Sequence, residues 1–197
     1  MSKSNGFFQR IKALPKQHKL IFAVALTQRM QPNYKLFCEI EQKDFLDQYN
    51  AALDKLWQKS VNPKLKINYQ VTWERLDAIT PEPEQYNSYV AFPARDAVVS
   101  LVAIFNALET VEAEDELINI SKLSSSTVVN YISAAEQIEI PLEGLSDDFY
   151  EHPLMQDEQA FQQSILDWIE PIKNITQEVV QDLRKALKDH NVSNLGL

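Results

Sequence analysis

Between Ile165 and Leu187 the apolar residues Ile165, Trp168, Ile172, Ile175, Val179, Leu183 and Leu187 follow one another at intervals of 3, 4, 3, 4, 4 and 4. That spacing draws one apolar stripe along a helix of 3.6 residues per turn. Pro171 lies inside the stripe and has no N–H to donate, so the helix is expected to kink or divide near Glu170. Arg184, Lys185 and Lys188 stand in the last turns, where they complement the helix dipole, and Asn191 is the expected stop. The same periodicity predicts helices over residues 93–108, over 117–137 (whole, or broken near Ser124) and over about 43–60. Residues 20–30 are apolar nearly all round, the pattern of a central helix packed on several sides. A short basic helix over 7–14 precedes Pro15, and a further helix over 33–42 follows Pro32. Leu65, Ile67, Tyr69, Val71 and Trp73 alternate as in a strand, but a lone strand has no partner for its backbone. Residues 62–67 are therefore expected to be extended and to lead into a helix ending near Ile79. Residues 80–92 and 139–157, rich in proline and acid, read as linkers. The whole, residues 1–197, is expected to form one all-α domain of roughly seven to nine helices around one core.

Composition narrows this further. Only 3 glycines occur, which argues against all-β folds and nucleotide-binding α/β folds that need glycine for tight turns and phosphate approach. Cys38 is the single cysteine, so no internal disulfide and no cysteine-rich zinc site can form, as suits a reducing compartment. The net charge of −9 disfavours nucleic acid as a partner. That charge is uneven. Residues 1–38 hold seven Lys or Arg, Lys3 among them, and no acid, while the remainder carries −16 with dense stretches at 109–116 and 143–158. Ala23-Val24-Ala25 resembles a signal cleavage site, yet only three apolar residues precede it, fewer than the roughly 7–15 of a signal core. No apolar run approaches the roughly 20 residues of a membrane span. The expectation is a cytoplasmic protein without a membrane partner.

The search for chemistry yields candidates rather than a motif. His18, His152 and His190 are too dispersed to form a metal motif, and the local set Asp148, Glu151 and His152 reads as a solvated loop. No metal site and no cofactor is expected. Glycine-rich phosphate loops and the G-x-S-x-G elbow are missing. Cys38, in an apolar setting, reads as a buried inert thiol. Arg29, Asn33 and Tyr34, around a proline-marked turn between two helices, are placed to converge on an anion or a partner's carboxylate. The plainer alternative is an interhelix turn in which Asn33 caps the next helix and Arg29 binds the preceding carbonyls. Asp96 lies in the first turn of a very apolar helix; turned inward, it needs a cation, and Arg29 or Lys122 are the candidates. Ser121 and Ser125 share a helix face beside Lys122, either to permit close packing or to line a hydroxyl-rich pocket. The basic N-terminal helix is expected to find its counter-charges within the acidic remainder.

Arg29-Met30-Gln31-Pro32-Asn33-Tyr34-Lys35-Leu36-Phe37-Cys38, then Phe92-Pro93-Ala94-Arg95-Asp96-Ala97, then Ser121-Lys122 with Thr127-Val128, and finally Ser193-Asn194-Leu195-Gly196 occur in order along the chain. Together they resemble the YjaG-like family of proteobacterial proteins, a domain-of-unknown-function family. The match runs nearly end to end, and Arg-Met-x-Pro-Asn-Tyr is its most specific part. The resemblance implies an all-helical cytoplasmic bacterial protein of about this length, and no activity.

Function is therefore not legible from the residues alone. The leading expectation is a non-enzymatic helical module that binds a protein partner or forms a homodimer. The rival is a small-molecule binder or enzyme with an interhelical pocket near Arg29, Asp96 and Lys122, and the least favoured reading is a membrane or nucleic-acid accessory acting through residues 3–19.

Overall fold

Every residue from Leu20 to Thr27 is buried, so this stretch has no solvent face at all. It is the middle of helix α2 (Lys16–Ile40), a rod of 25 residues around which the other elements assemble. The structure, a computed structural model, describes residues 6–110 and 113–197. Lys3, of the basic N-terminal set, and Glu112, of the first acidic stretch, lie outside the described residues. Nine α-helices and no strand occur among the described residues. Besides α2 they are α1 (Phe7–Ala13), α3 (Leu46–Val61), α4 (Tyr69–Ile79), α5 (Ala91–Glu109), α6 (Asp115–Glu136), α7 (Asp147–Glu151), α8 (Pro153–Ile169) and α9 (Gln177–His190). A 3-10 turn spans Pro83–Gln85.

The proline-marked turn expected at Pro32 does not exist. Residues on both sides belong to α2, with Pro32 inside it. Proline removes one backbone bond, to the carbonyl of Gln28, but α3, α5, α6, α8 and α9 all pack on this helix and hold its course. Asn33 is consequently no cap and Arg29 no C-terminal donor; both are mid-helix residues facing inward. At Pro171 the opposite holds, and the long stripe divides as expected into α8 and α9, separated by residues 170–176. Thr176 opens α9 by accepting the Val179 N–H at 3.3 Å, and Asn191 closes it in the left-handed conformation at φ 41°. Helix α6 runs unbroken past Ser124. Residues 62–68 are non-helical, and Asn68 starts α4 by accepting the Val71 N–H at 3.2 Å. The expected linker 139–157 is in part helical. It contains α7, and α8 begins at Pro153, capped by His152 Nδ1 accepting the Leu154 N–H at 3.2 Å.

The main core draws on α1–α6, α8 and α9, with Phe22, Phe37, Tyr49 and Phe105 among its largest buried side chains. A second, smaller cluster joins Val128, Val129 and Ile132 of α6 to Phe149, Met155 and Leu195. Helix α5 is long and apolar enough to cross a membrane, yet more than half of that stretch is buried, chiefly between α2 and α6. Two of the N-terminal cations meet the acidic remainder, while Lys12 and Lys16 are exposed. Arg10 bridges Asp167 and Glu170, both at 2.6 Å, and Lys19 meets Glu114 at 2.8 Å.

Candidate functional site

Three helices each contribute two polar residues one turn apart, the separation that puts side chains i and i+4 on one face. They are Arg29 and Asn33 on α2, Ser121 and Ser125 on α6, and Glu158 and Gln162 on α8. All but the half-buried Ser125 are buried. Arg29 Nη1 donates to Glu158 Oε2 at 2.9 Å, and its guanidinium lies 4.1 Å from the centre of the Phe161 ring. Gln162 Nε2 donates to Glu158 and, at 3.1 Å, to the Ser125 hydroxyl, while Ser121 Oγ donates to Gln162 Oε1. Asn194, from the segment after α9, closes the network. It donates to the carbonyl and hydroxyl of Ser124, both at 3.1 Å, and accepts from Asn33 Nδ2 at 2.8 Å.

Burial raises the Glu158 carboxyl above its usual range, against the pull of Arg29, Ser124 and Gln162. Burial likewise lowers Arg29, with Glu158 and Asp157 opposing, but a guanidinium stays protonated at any physiological pH. Ser121 and Ser125 meet an amide, which takes no proton, so neither forms a hydroxyl–base pair. The arrangement is a buried polar seam, with only the Arg29 Nε–H and the Asn33 Oδ1 left without a partner among the described residues, and it fixes how α2, α6 and α8 meet.

The other candidates go elsewhere. Tyr34 donates to the Ile79 carbonyl at 2.7 Å and stacks on Tyr49, and burial raises its phenol. Arg29, Asn33 and Tyr34 therefore find three separate internal partners rather than one anion. Burial also pushes the Cys38 thiol up, away from the thiolate that nucleophilic chemistry needs. His152 faces Glu136 through Nε2 at 3.0 Å while Nδ1 caps α8, so its ring is committed to the fold. No group of three or more His, Cys, Asp or Glu able to hold a metal occurs among the described residues. Asp96 takes neither expected cation. It accepts a hydrogen bond from Thr127 at 2.8 Å, because Arg29 is spent on Glu158 and Lys122 is exposed, 5.8 Å from the Phe8 ring.

Arg29, Asp96 and Lys122 line three different cavities, of about 340, 310 and 590 Å³ respectively, so the single pocket expected near all three is not formed. The seam does join Ser121 and Ser125, and with Lys122 they line the largest of these cavities. Phe7 and Phe8 of α1 and Leu145 and Tyr150 around α7 form its apolar walls, with Gln162 at its polar side. Phe8 and Tyr150 remain 44% and 49% exposed. The segment 139–151 that supplies Leu145 and Tyr150 also bears Glu139, Glu143, Asp147, Asp148 and Glu151, all exposed, and no Lys or Arg. Ile140 is partly exposed and Leu142 fully exposed on the same segment.

Glu158 and Gln162 escape a reading that sees residues 143–158 only as an acidic stretch. The signal was there: Met155, Glu158, Gln162, Ile165 and Ile169 repeat at three and four and share the buried face of α8.

Asp96 offers a test of sign. Burial raises its carboxyl above the ordinary aspartate range, with Thr127 and Arg95 opposing. A carboxyl that binds its proton more tightly when folded stabilises the fold most at low pH, and this contribution is lost as pH rises through the folded value. Asp96→Asn keeps an acceptor for Thr127 and abolishes that titration. The variant is expected to melt above the parent at pH 7 and to lose this advantage near pH 4, as followed by circular dichroism.

A family model described as a protein of unknown function, DUF416, matches residues 6–197. The chain is 26% identical over 195 residues to the uncharacterised protein YjaG of Salmonella typhimurium, covering 98% of this chain and 96% of that one. The identity and coverage are the same for YjaG of Escherichia coli. An uncharacterised protein of Haemophilus influenzae is 26% identical over 194 residues, 98% of this chain and 97% of its own. The crystal structure of a DUF416 family protein from Shewanella baltica superimposes with a TM-score of 0.90 at 43% identity, over 98% of this chain and 99% of that one. The resemblance seen in the motif segments thus extends along the whole fold.

Proposed function

We propose, for a chain that belongs to the DUF416 family of unknown function, that it is a cytoplasmic, non-enzymatic interaction module whose groove between α1, α6 and α7–α8 receives a partner protein's apolar, basic-flanked segment. The observation that carries this reading is the pairing of half-exposed Phe8 and Tyr150 at the largest cavity with an all-acidic stretch beside it. Apolar surface left in water costs about 25 cal/mol per Å², and aromatic side chains in a concave setting are the usual anchors of an interface. Five exposed acids against the one groove cation, Lys122, select an occupant with lysine or arginine at its ends. They also argue against a second copy of this chain in the groove, since a twofold interface sets the same patch on both sides and brings like charges together. The cytoplasmic assignment rests on Cys38, a lone buried thiol in a chain without an internal disulfide.

The test uses two synthetic helical peptides with one apolar core, flanked either by lysines or by glutamates, and fluorescence anisotropy. The lysine-flanked peptide is expected to bind at least about tenfold tighter at low salt, with the gap closing as salt rises. Phe8→Glu is expected to abolish binding. Equal affinity for both peptides, or no saturable binding of either, would count against the reading.

A further inference from the structure

The cavity beside Arg29 shares no lining residue with the groove. It lies where α2, α3 and α9 meet the end of the chain, with Arg29, Arg184, Lys188 and His190 against a single acid, Asp54. Arg29 is matched by Glu158 and Arg184 by Asp54, so in a chain of net charge −9 Lys188 leaves the cavity locally positive. Lys188 and His190 stand in the last turn of α9, whose carbonyl end answers part of their charge. The arginines are different. Arg29 is 7% exposed and is held by Glu158 through Nη1 alone; Arg184 is held by Asp54 through Nη2. Neither residue's buried Nε–H has an acceptor among the described residues. A buried donor left without a partner costs about 1–3 kcal/mol, and guanidinium forks match the paired oxygens of carboxylate and phosphate. Gln28, Gln31 and Asn50 line the same space and add neutral donors and acceptors.

We infer that this cavity binds a small organic acid or phosphate ester through its oxyanion, held between Arg29 and Arg184. Its volume of about 340 Å³ falls at the small end of ligand pockets, which span roughly 300–1,000 Å³. Asp54 is an internal competitor of the ligand: it occupies one edge of the Arg184 guanidinium, and the ligand takes the other or displaces it. This inference stands apart from the groove, and either can fail alone.

The experiment is a titration of the full-length ¹⁵N-labelled protein with inorganic phosphate and, separately, succinate, at ionic strength held constant with sodium chloride. The readout is the Nε–H resonances of Arg29 and Arg184. A saturable shift of both is expected with at least one probe, and the probe that gives it names the class, phosphate or carboxylate. Arg184→Gln is expected to weaken binding at least about tenfold. Asp54→Asn, which frees Arg184 and leaves the seam untouched, is expected to tighten it several-fold. The inference is overturned by shifts that never saturate, by shifts that sodium chloride reproduces, by saturable shifts that leave both arginines unmoved, or by unchanged affinity in Asp54→Asn.

Discussion

Arg29→Ala is expected to lower the free energy of unfolding by about 3–5 kcal/mol, because it strands the Glu158 carboxylate in the protein interior. Glu158 has no measurable solvent exposure, so water cannot replace the lost partner. Gln162 and Ser124 supply neutral hydrogen bonds only, and burial already disfavours the charged carboxyl. The substitution also removes the guanidinium from the face of Phe161. In a chain of this length the loss corresponds to about 10 °C in melting temperature. Glu158→Ala is expected to cost a similar amount by stranding Arg29. Removing both charges together is a different matter. Arg29→Met with Glu158→Met leaves no buried ion, and apolar replacement of such pairs is often neutral or better. The double variant is expected to recover most of the stability lost in either single one, as urea denaturation of the four proteins measures directly. A loss below about 1 kcal/mol in Arg29→Ala would mean that the pair is hydrated and that the seam does not hold the three helices.

The second large effect is expected at the other end of the chain. Deleting residues 191–197 should cost about 4 kcal/mol or more. Leu195, 6% exposed, leaves the small core around Val128 and Phe149, and truncating a buried leucine alone costs about 2–5 kcal/mol. Asn194 leaves as well, which orphans the Asn33 Nδ2 donor at a further 1–3 kcal/mol or so, while the Ser124 carbonyl keeps its bond in the α6 backbone ladder. Asn194→Ala separates the two contributions, keeping Leu195 while breaking the bridge. Hydrogen exchange should then accelerate along the middle of α6 in both variants and around Phe149 in the deletion only. An unchanged exchange pattern in the deletion would show that the tail does not seal the fold.

Helix positions were legible wherever local chemistry decides them. The stripe from Ile165 to Leu187, its division at Pro171 and its stop at Asn191 depend on periodicity, a missing N–H and a residue tolerant of positive φ. Pro32 shows the limit of the same rule. Its effect on α2 is decided by the five helices packed against that rod, and those are remote in sequence. The candidate residues divide in the same manner. Ser121 and Ser125 were found because their relation is helical and local. That Arg29 meets Glu158, 129 positions away, is a property of tertiary packing. Asp96, turned inward, was expected to need a cation; it meets the neutral Thr127 instead, a choice made by the α5–α6 contact.

The groove is tested most directly in the cell, by placing a photo-crosslinking phenylalanine analogue at Tyr150 and a control at Val71, which is exposed on α4. On irradiation, Tyr150 is expected to capture a small set of proteins through segments that carry apolar residues flanked by lysine or arginine. Val71 should not capture them, and Phe8→Glu should remove the product. Crosslinks no stronger than at Val71, captured segments without basic flanks, or a product joining two copies of this chain would contradict the account.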